Sequence, residues 1–169
     1  AMRIAELQYN QNKIPDALQT LLNVQGTASS NDKDYWHAVA NLAWLLHRDD
    51  VSYRAYQVLY RQGDATQADM TRLISLTERR DPQRAFDLAE IAYRKFKNDA
   101  YITTMLSIGP EINAWDKLNK LFGSVTPETR AYLEEDPFYF AIHARTLVRL
   151  GYMDLAQQVY AKGLIRHPN

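Results

Sequence analysis

Apolar residues recur along the chain with the period of an amphipathic α-helix, in several separate segments. In one segment the apolar face consists of Val39, Leu42, Ala43 and Leu46. In another it consists of Ala85, Leu88, Ala89 and Ala92. Both sets follow the i, i+3, i+4, i+7 spacing of one helical face, and no long segment alternates with the two-residue period of a strand. The pattern therefore predicts an all-α fold.

Residues 137–169 carry the most regular pattern, that of a helix–turn–helix hairpin about 34 residues long. Its large, small, turn, small, aromatic, small and helix-ending positions are Phe140, Ala144, Gly151, Ala156, Tyr160, Gly163 and Pro168. The two alanines allow the helices of one hairpin to approach closely. Phe140 and Tyr160 are expected to fill the gap between neighbouring hairpins. One such hairpin cannot bury its apolar faces alone, so a stack of hairpins is predicted.

Earlier segments repeat the hairpin, with small residues equivalent to Ala156 at Ala17, Ala55 and Ala85. The predicted units are roughly 1–34, 35–65, 66–99, 100–136 and 137–169, which make one α-solenoid of four to five helical hairpins. In the first unit Asn12 is expected in the turn, since Asn tolerates the left-handed conformation. The polar segment 26–34 is predicted to be a loop.

Helix boundaries follow from turn and capping residues. The second unit is expected to turn at residues 48–50, and in the third unit Asp81 caps a helix whose first residue is Pro82. The unit at 100–136 is irregular. Its predicted helices span 100–108, 112–122 and 126–133, the last one capped by Thr126.

The hairpin positions resemble those of the tetratricopeptide repeat (TPR) family over nearly the full chain, most specifically in residues 137–169. This resemblance implies an α-solenoid in which the first helix of each hairpin lines a concave groove. The inward positions it implies are His37, Ala40, Asn41, Trp44, His47, Arg48, Phe138, Ala141, Ile142, Arg145, Val148 and Arg149. Trp and Arg are frequent in interface hot spots, so the groove suits a protein or peptide. Packing of Trp44 against the adjoining hairpin is the alternative.

A narrower resemblance is carried by Asn41-Leu42-Ala43-Trp44 and by Arg80-Asp81-Pro82. These segments are similar to the repeat region of the outer-membrane export protein for the Pel exopolysaccharide of Gram-negative biofilm formers. That resemblance implies a periplasmic, non-catalytic scaffold. It would dock a polymer-modifying deacetylase/hydrolase near the export pore. The lysines with which some co-chaperones of the family clamp a terminal carboxylate are missing here.

Charge and composition exclude several functions. Twenty basic residues balance twenty acidic ones, so a basic stripe for nucleic acid is not expected. Cysteine is absent, and no stretch is apolar enough to span a membrane. No catalytic, metal-binding or cofactor motif occurs. His143 is expected to be a packed histidine rather than a ligand. The acidic run 134–136 is expected to cap or solvate the last hairpin, and the basic clusters 79–80 and 94–97 to form solvated faces.

Two further functions stay open at this stage. Trp36, Trp44 and Tyr35 could stack on sugar rings in a polysaccharide-binding module, or the chain could be a cytosolic adaptor. The chain begins within a predicted helix and ends after a hairpin's proline, so a fragment of a longer array is expected. An exposed apolar face near Leu164 and Ile165 would then favour end-to-end self-association.

Overall fold

The computed structural model describes residues 1–27 and 32–168, and every regular element in these ranges is an α-helix. The eleven helices of these described residues are α1 (Met2–Asn10), α2 (Ile14–Leu22), α3 (Lys33–Leu45), α4 (Asp49–Gln62), α5 (Gln67–Glu78), α6 (Pro82–Phe96), α7 (Ala100–Ile108), α8 (Trp115–Ser124), α9 (Pro127–Leu133), α10 (Pro137–Arg149) and α11 (Met153–Arg166). They form two compact units, Ala1–Arg80 and Asp81–Asn169. The predicted all-α class is confirmed.

In the first unit each helix packs against the next, from α1 through α5. Three alanines at the helix contacts, Ala17, Ala43 and Ala55, are fully buried, as the small positions of the repeat require. The side chain of Tyr35 is also buried, and its hydroxyl donates to the Leu21 carbonyl at 2.9 Å. Chain-order packing of hairpins around small residues is the predicted arrangement.

In the second unit α6 packs on α7, α8 on α10, and α10 on α11. Ala144 and Ala156 are buried, and Gly163 lies so close to Phe140 that a Cβ on the glycine would stand 2.8 Å from the Phe140 Cβ. Tyr160 was expected to fill a gap between hairpins, and this is wrong for the described structure. Its side chain is 58% exposed, because no described element packs over that side of α11.

Most predicted turns and caps are confirmed. Asn12 has a φ of 59° and Gly151 a φ of 85°, so both adopt the left-handed conformation. Asp81 accepts a hydrogen bond from the Arg84 amide at 3.0 Å, with Pro82 in the first helical turn. The amide of Thr129 donates to the Thr126 hydroxyl at 3.2 Å and begins α9.

Three boundaries differ from the predicted ones. Helix α8 begins at Trp115 instead of Ile112, because Asn113 is left-handed (φ 55°) and the Ala114 amide returns to the Gly109 carbonyl at 2.9 Å. The predicted turn at 48–50 is shorter, since α4 begins at Asp49. Of the predicted loop 26–34, residues 28–31 lie outside the described ones, and its end is helical because Asp32 caps α3.

Candidate functional site

Three predicted groove residues, His37, Asn41 and Trp44, lie on the side of α3 that meets α5. Arg72 of α5 reaches this side and donates through Nη1 to the Asn41 Oδ1 at 2.6 Å and to the Tyr56 hydroxyl at 2.9 Å. The Arg72 guanidinium carbon also stands 5.4 Å from the centre of the Trp44 ring. Trp44 therefore packs against the adjoining hairpin and remains partly exposed.

A second polar contact lies along the same two helices. The Nδ1 atom of His37 stands 3.3 Å from Oδ2 of Asp69. Asp69 is buried and accepts hydrogen bonds from the Thr66 amide at 2.8 Å and the Thr66 hydroxyl at 2.7 Å. We call His37, Asn41, Trp44, Asp69 and Arg72 the α3–α5 face. Because its polar groups hold one another, the face is preorganised around the flat ring of Trp44.

Burial shapes the electrostatics of this face. Tyr56 is fully buried below it, and burial raises the pKa of its phenol above 10.0, although its hydrogen bond with Arg72 acts in the opposite direction. The phenol therefore stays neutral and uses one lone pair to hold Arg72. This contact fixes the guanidinium over Trp44.

An apolar cleft of about 360 Å³ lies between α1 and α3, directly beside Asn41. Its lining includes Ala5, Tyr9, Leu42 and Leu45. Tyr9 and Leu45 are both about half exposed, so they give the cleft an accessible apolar lining.

The other inward positions predicted for α3 lie elsewhere. His47 has a φ of 53° and stands in the turn after α3, and Arg48 is the capping residue before α4. Both are off the helical face because α3 ends at Leu45. Ala40 is also not a groove residue, since it is fully buried in the core.

In the second unit, the predicted residues Arg145 and Arg149 converge on Trp115 at the start of α8. Their guanidinium carbons stand 5.4 and 5.7 Å from the centre of its ring. Phe138 lies in the first turn of α10, the helix that also carries Arg145 and Arg149. Its side chain is 46% exposed and lines a separate cleft with Leu106 and Tyr132. Of the remaining predicted positions, Ala141 and Val148 are exposed, whereas Ile142 belongs to the core.

His143 packs against aromatic rings, as expected from its position. Its ring stacks on Phe122 with centroids 4.3 Å apart. Burial, followed by the nearby cations of Arg130 and Lys162, lowers the pKa of His143 from 6.5 to about 4. A ring that stays neutral at physiological pH and stacks on Phe122 is a packing residue.

The acidic run is only partly solvated. Asp136 caps α10 by accepting from the Phe138 amide at 2.9 Å, as expected. Glu134 instead is buried and accepts from Lys162 at 2.5 Å, while Glu135 pairs with Arg166. These contacts join the start of the last hairpin to its second helix, so the run has a structural role.

Among the described residues, no group of three or more His, Cys, Asp or Glu side chains is placed to hold a metal ion. In the ranges 1–27 and 32–168, each helix is too short or too polar to cross a bilayer.

The sequence reasoning missed Asp69, Arg72 and Trp115. Thr66 and Asp69 have the three-residue spacing of a capping pair, and this spacing could have identified Asp69 from the sequence. Arg72 and Asn41 are 31 residues apart. Separations close to one repeat length place two residues on equivalent helices of neighbouring hairpins, so pairing residues at that separation would have found the contact.

Comparison with known proteins agrees with the all-α hairpin fold. The tetratricopeptide repeat family profile matches residues 1–169. The chain is similar to YrrB, described as a TPR protein with an unusual peptide-binding site, at 13% identity and a TM-score of 0.66, covering 99% of this chain and 85% of that one. No curated protein matches the sequence.

Two further solved structures are similar at lower TM-scores. TTC0263, a thermophilic TPR protein of Thermus thermophilus, gives 0.46 at 15% identity, covering 99% of this chain and 90% of that chain. The C-terminal part of a TPR protein from Cytophaga hutchinsonii gives 0.45 at 15% identity, with coverages of 99% and 65%. TPR folds generally serve as non-enzymatic scaffolds for protein binding. The match over all 169 residues shows that the chain belongs to the tetratricopeptide repeat family.

Proposed function

We propose that the chain is a non-catalytic scaffold that binds an extended segment of a partner protein along the first helices of its hairpins. The α3–α5 face is the observation that carries this proposal. It presents a partly exposed Trp held by an Arg, and an apolar cleft opens beside it. These are the side-chain types that dominate binding energy in protein interfaces.

The contacts of the face indicate what a ligand must supply. Arg72 already donates to Asn41 and Tyr56, and Asp69 already accepts from Thr66. A ligand that displaced these bonds would have to replace them at a cost. The favourable occupant is therefore a segment that lays an apolar side chain in the α1–α3 cleft and covers the Trp44 ring.

The narrower sequence resemblance supplies the partner. We propose that the parent protein acts in Pel exopolysaccharide export and biofilm formation in the periplasm. The scaffold would hold a periplasmic deacetylase/hydrolase near the outer-membrane pore. The segments Asn41-Leu42-Ala43-Trp44 and Arg80-Asp81-Pro82 support this assignment. Cytosolic adaptors are built from the same hairpins. The fold therefore does not distinguish an export scaffold from a cytosolic adaptor, and the identity of the binding partner does.

Polysaccharide binding is the second candidate, and the observation that favours it is the exposed part of the Trp44 ring. The other proposed sugar platforms are weaker. Tyr35 is buried with its hydroxyl bonded to Leu21, and Trp36 packs edge-on against the Tyr35 ring at 5.1 Å. A sugar would find one aromatic platform instead of three.

Biolayer interferometry with the immobilised chain tests the first proposal. The analyte is the purified Pel-system deacetylase/hydrolase, and the variants are Trp44→Ala and Arg145→Ala. Arg61→Ala on the second helix α4 is the matched control, because Arg61 is exposed and is not one of the predicted groove residues. We expect the two variants at predicted groove positions, Trp44→Ala on the α3–α5 face and Arg145→Ala beside Trp115, to weaken binding about tenfold or more, with the control unchanged.

Two results would overturn parts of the proposal. Capture by both variants at wild-type affinity would remove the groove from the argument, and no capture by the wild type would remove the exopolysaccharide assignment. Calorimetric titration with a partly deacetylated oligosaccharide decides the second candidate. Heat from the glycan, together with none from the protein, would reverse the ranking of the two functions.

A further inference from the structure

A cleft of about 660 Å³ opens between α6 and α8, apart from the Trp115 side of the second unit. Its floor is apolar: Tyr93 and Leu121 are partly exposed in it, and Phe86 and Met105 of its lining are buried. A cleft of this volume is within the range that accommodates ligand side chains. It is lined by residues that no part of the proposed function uses.

The mouth of this cleft is basic. Its cations are Arg94, Lys97, Lys117 and Lys120. Glu90 pairs with Arg94 at 2.6 Å, and Asp87 pairs with Lys117 at 2.7 Å. Lys97 and Lys120 make no ion pair within the described part of the chain. The mouth therefore carries two uncompensated positive charges in a chain whose net charge is zero.

Helix electrostatics account for only half of these cations. Arg94 and Lys97 lie at the end of α6, where the helix dipole favours positive charge. Lys117 lies in the first turn of α8, where the dipole disfavours it, and Lys120 follows three residues later on the same side. Lys117 is already paired with Asp87, whereas Lys120, in the middle of α8, is exposed and available to an anionic ligand.

The aromatic rings of the cleft hold two of the cations at its edge. The Lys117 Nζ stands 5.3 Å from the centre of the Phe86 ring, and the Lys97 Nζ stands 5.9 Å from that of Tyr93. Their charged ends thus lie beside aromatic rings, while both lysines stay exposed and reachable by a ligand.

We propose that the α6–α8 cleft binds an acidic segment of a partner protein. An apolar side chain of the segment contacts Tyr93 and Leu121, and flanking carboxylates pair with Lys97 and Lys120. Charge complementarity selects the acidic flanks, and the apolar floor selects the apolar residue between them. A phosphate polymer would use the charges but would leave the floor empty. This second surface is independent of the α3–α5 face.

Fluorescence anisotropy on the full chain tests the proposal. The probe is a labelled short peptide with a central Phe-Leu pair flanked by two glutamates on each side. We compare the wild type with Lys97→Glu/Lys120→Glu. The double variant Lys95→Glu/Arg61→Glu is the control, because it makes the same change in net charge outside the cleft. We expect the dissociation constant to rise about tenfold or more in the cleft variant and to stay within about twofold in the control.

Two matched peptides separate the contribution of the carboxylates from that of the apolar side chains. Replacing the glutamates by glutamines should abolish binding, and replacing Phe-Leu by Ala-Ala should weaken it strongly. Equal binding of the glutamine peptide, or an equal loss in the control variant, would overturn the proposal. Polythymidine that binds as tightly as the peptide, with the same loss in the cleft variant, would replace it with a general polyanion site. Circular dichroism of each variant establishes that loss of binding is not loss of folding.

Discussion

Gly163 and Gly123 are both helical glycines, and their surroundings predict opposite effects of substitution by alanine. A Cβ at Gly163 of α11 would stand 2.8 Å from the Phe140 Cβ and 2.9 Å from its Cγ. A Cβ at Gly123 of α8 would meet no atom within 4 Å. The pair isolates the requirement for a small residue at the contact between the two helices of the last hairpin.

The expected changes in the free energy of unfolding follow from two opposing effects, the higher helix propensity of alanine and the overpacking by its Cβ. Alanine favours a helix over glycine by up to about 1 kcal/mol. At Gly163 the new Cβ would lie well inside the optimal carbon–carbon separation of about 3.5–4.0 Å. Phe140 cannot yield by rotation, because its Cβ is fixed to the backbone of α10. Overpacking of this kind costs about 1–3 kcal/mol, so Gly163→Ala should lose about 1–2 kcal/mol net. Gly123→Ala should gain about 0.5–1 kcal/mol.

Thermal and urea unfolding followed by circular dichroism measure the difference. For a chain of this length, 1 kcal/mol corresponds to a shift in Tm of about 2–4 °C. The two variants should therefore differ by roughly 3–12 °C, with the wild type between them. A Gly163→Ala protein as stable as Gly123→Ala would refute the reasoning, since α10 and α11 would then not be in close contact at this position.

Three further predictions concern polar groups. Burial lowers the pKa of His143 from 6.5 to about 4, so the neutral ring stabilises the fold fully above pH 6.5, and this contribution is lost as the pH falls through about 4. NMR titration of the ring should give that pKa, and His143→Phe should lessen the loss of stability across this pH range. Arg72→Met should cost about 1–3 kcal/mol by leaving the Tyr56 hydroxyl buried without its partner, and adding Tyr56→Phe should restore part of it in urea unfolding. Glu134→Gln removes the ion pair of a buried carboxylate and should lower the free energy of unfolding by about 1 kcal/mol; the loss is no larger because the partner, Lys162, is exposed and becomes rehydrated. Glu135→Gln replaces an exposed carboxylate and should change this free energy by less than about 0.5 kcal/mol.

The fold was predictable from the sequence because small residues and turn residues act locally. Alanine at a helix contact and a left-handed Asn12 or Gly151 each constrain one hairpin, whatever surrounds it. The start of α8 was not predictable in the same way. Ile112 continues the apolar pattern, and only the return of the Ala114 amide to Gly109 excludes it from the helix.

The candidate site was predictable only in part, because its contacts join residues about one repeat length apart. The helical face containing Trp44 and Asn41 followed from the repeat positions. Its partner Arg72 did not, since nothing near residue 72 in sequence marks it, and only comparing residues about one repeat length apart links it to Asn41. For His47 and Arg48 the repeat positions predicted a place on the inward face of α3, but both residues lie beyond the end of that helix.

The two surfaces of the molecule differ in how far their charges are already satisfied, and this difference decides what each can bind. On the α3–α5 face, Arg72 and Asp69 are held by neighbouring side chains, so new polar contacts would exchange one hydrogen bond for another with little net gain. Binding energy there has to come from covering Trp44 and filling the α1–α3 cleft. In the α6–α8 cleft, Lys97 and Lys120 lack carboxylate partners among the described residues, so an acidic ligand adds attractive contacts without breaking any. Raising the salt concentration should therefore weaken binding at the α6–α8 cleft far more than at the α3–α5 face, because screening acts on charge pairs and leaves apolar burial nearly unchanged.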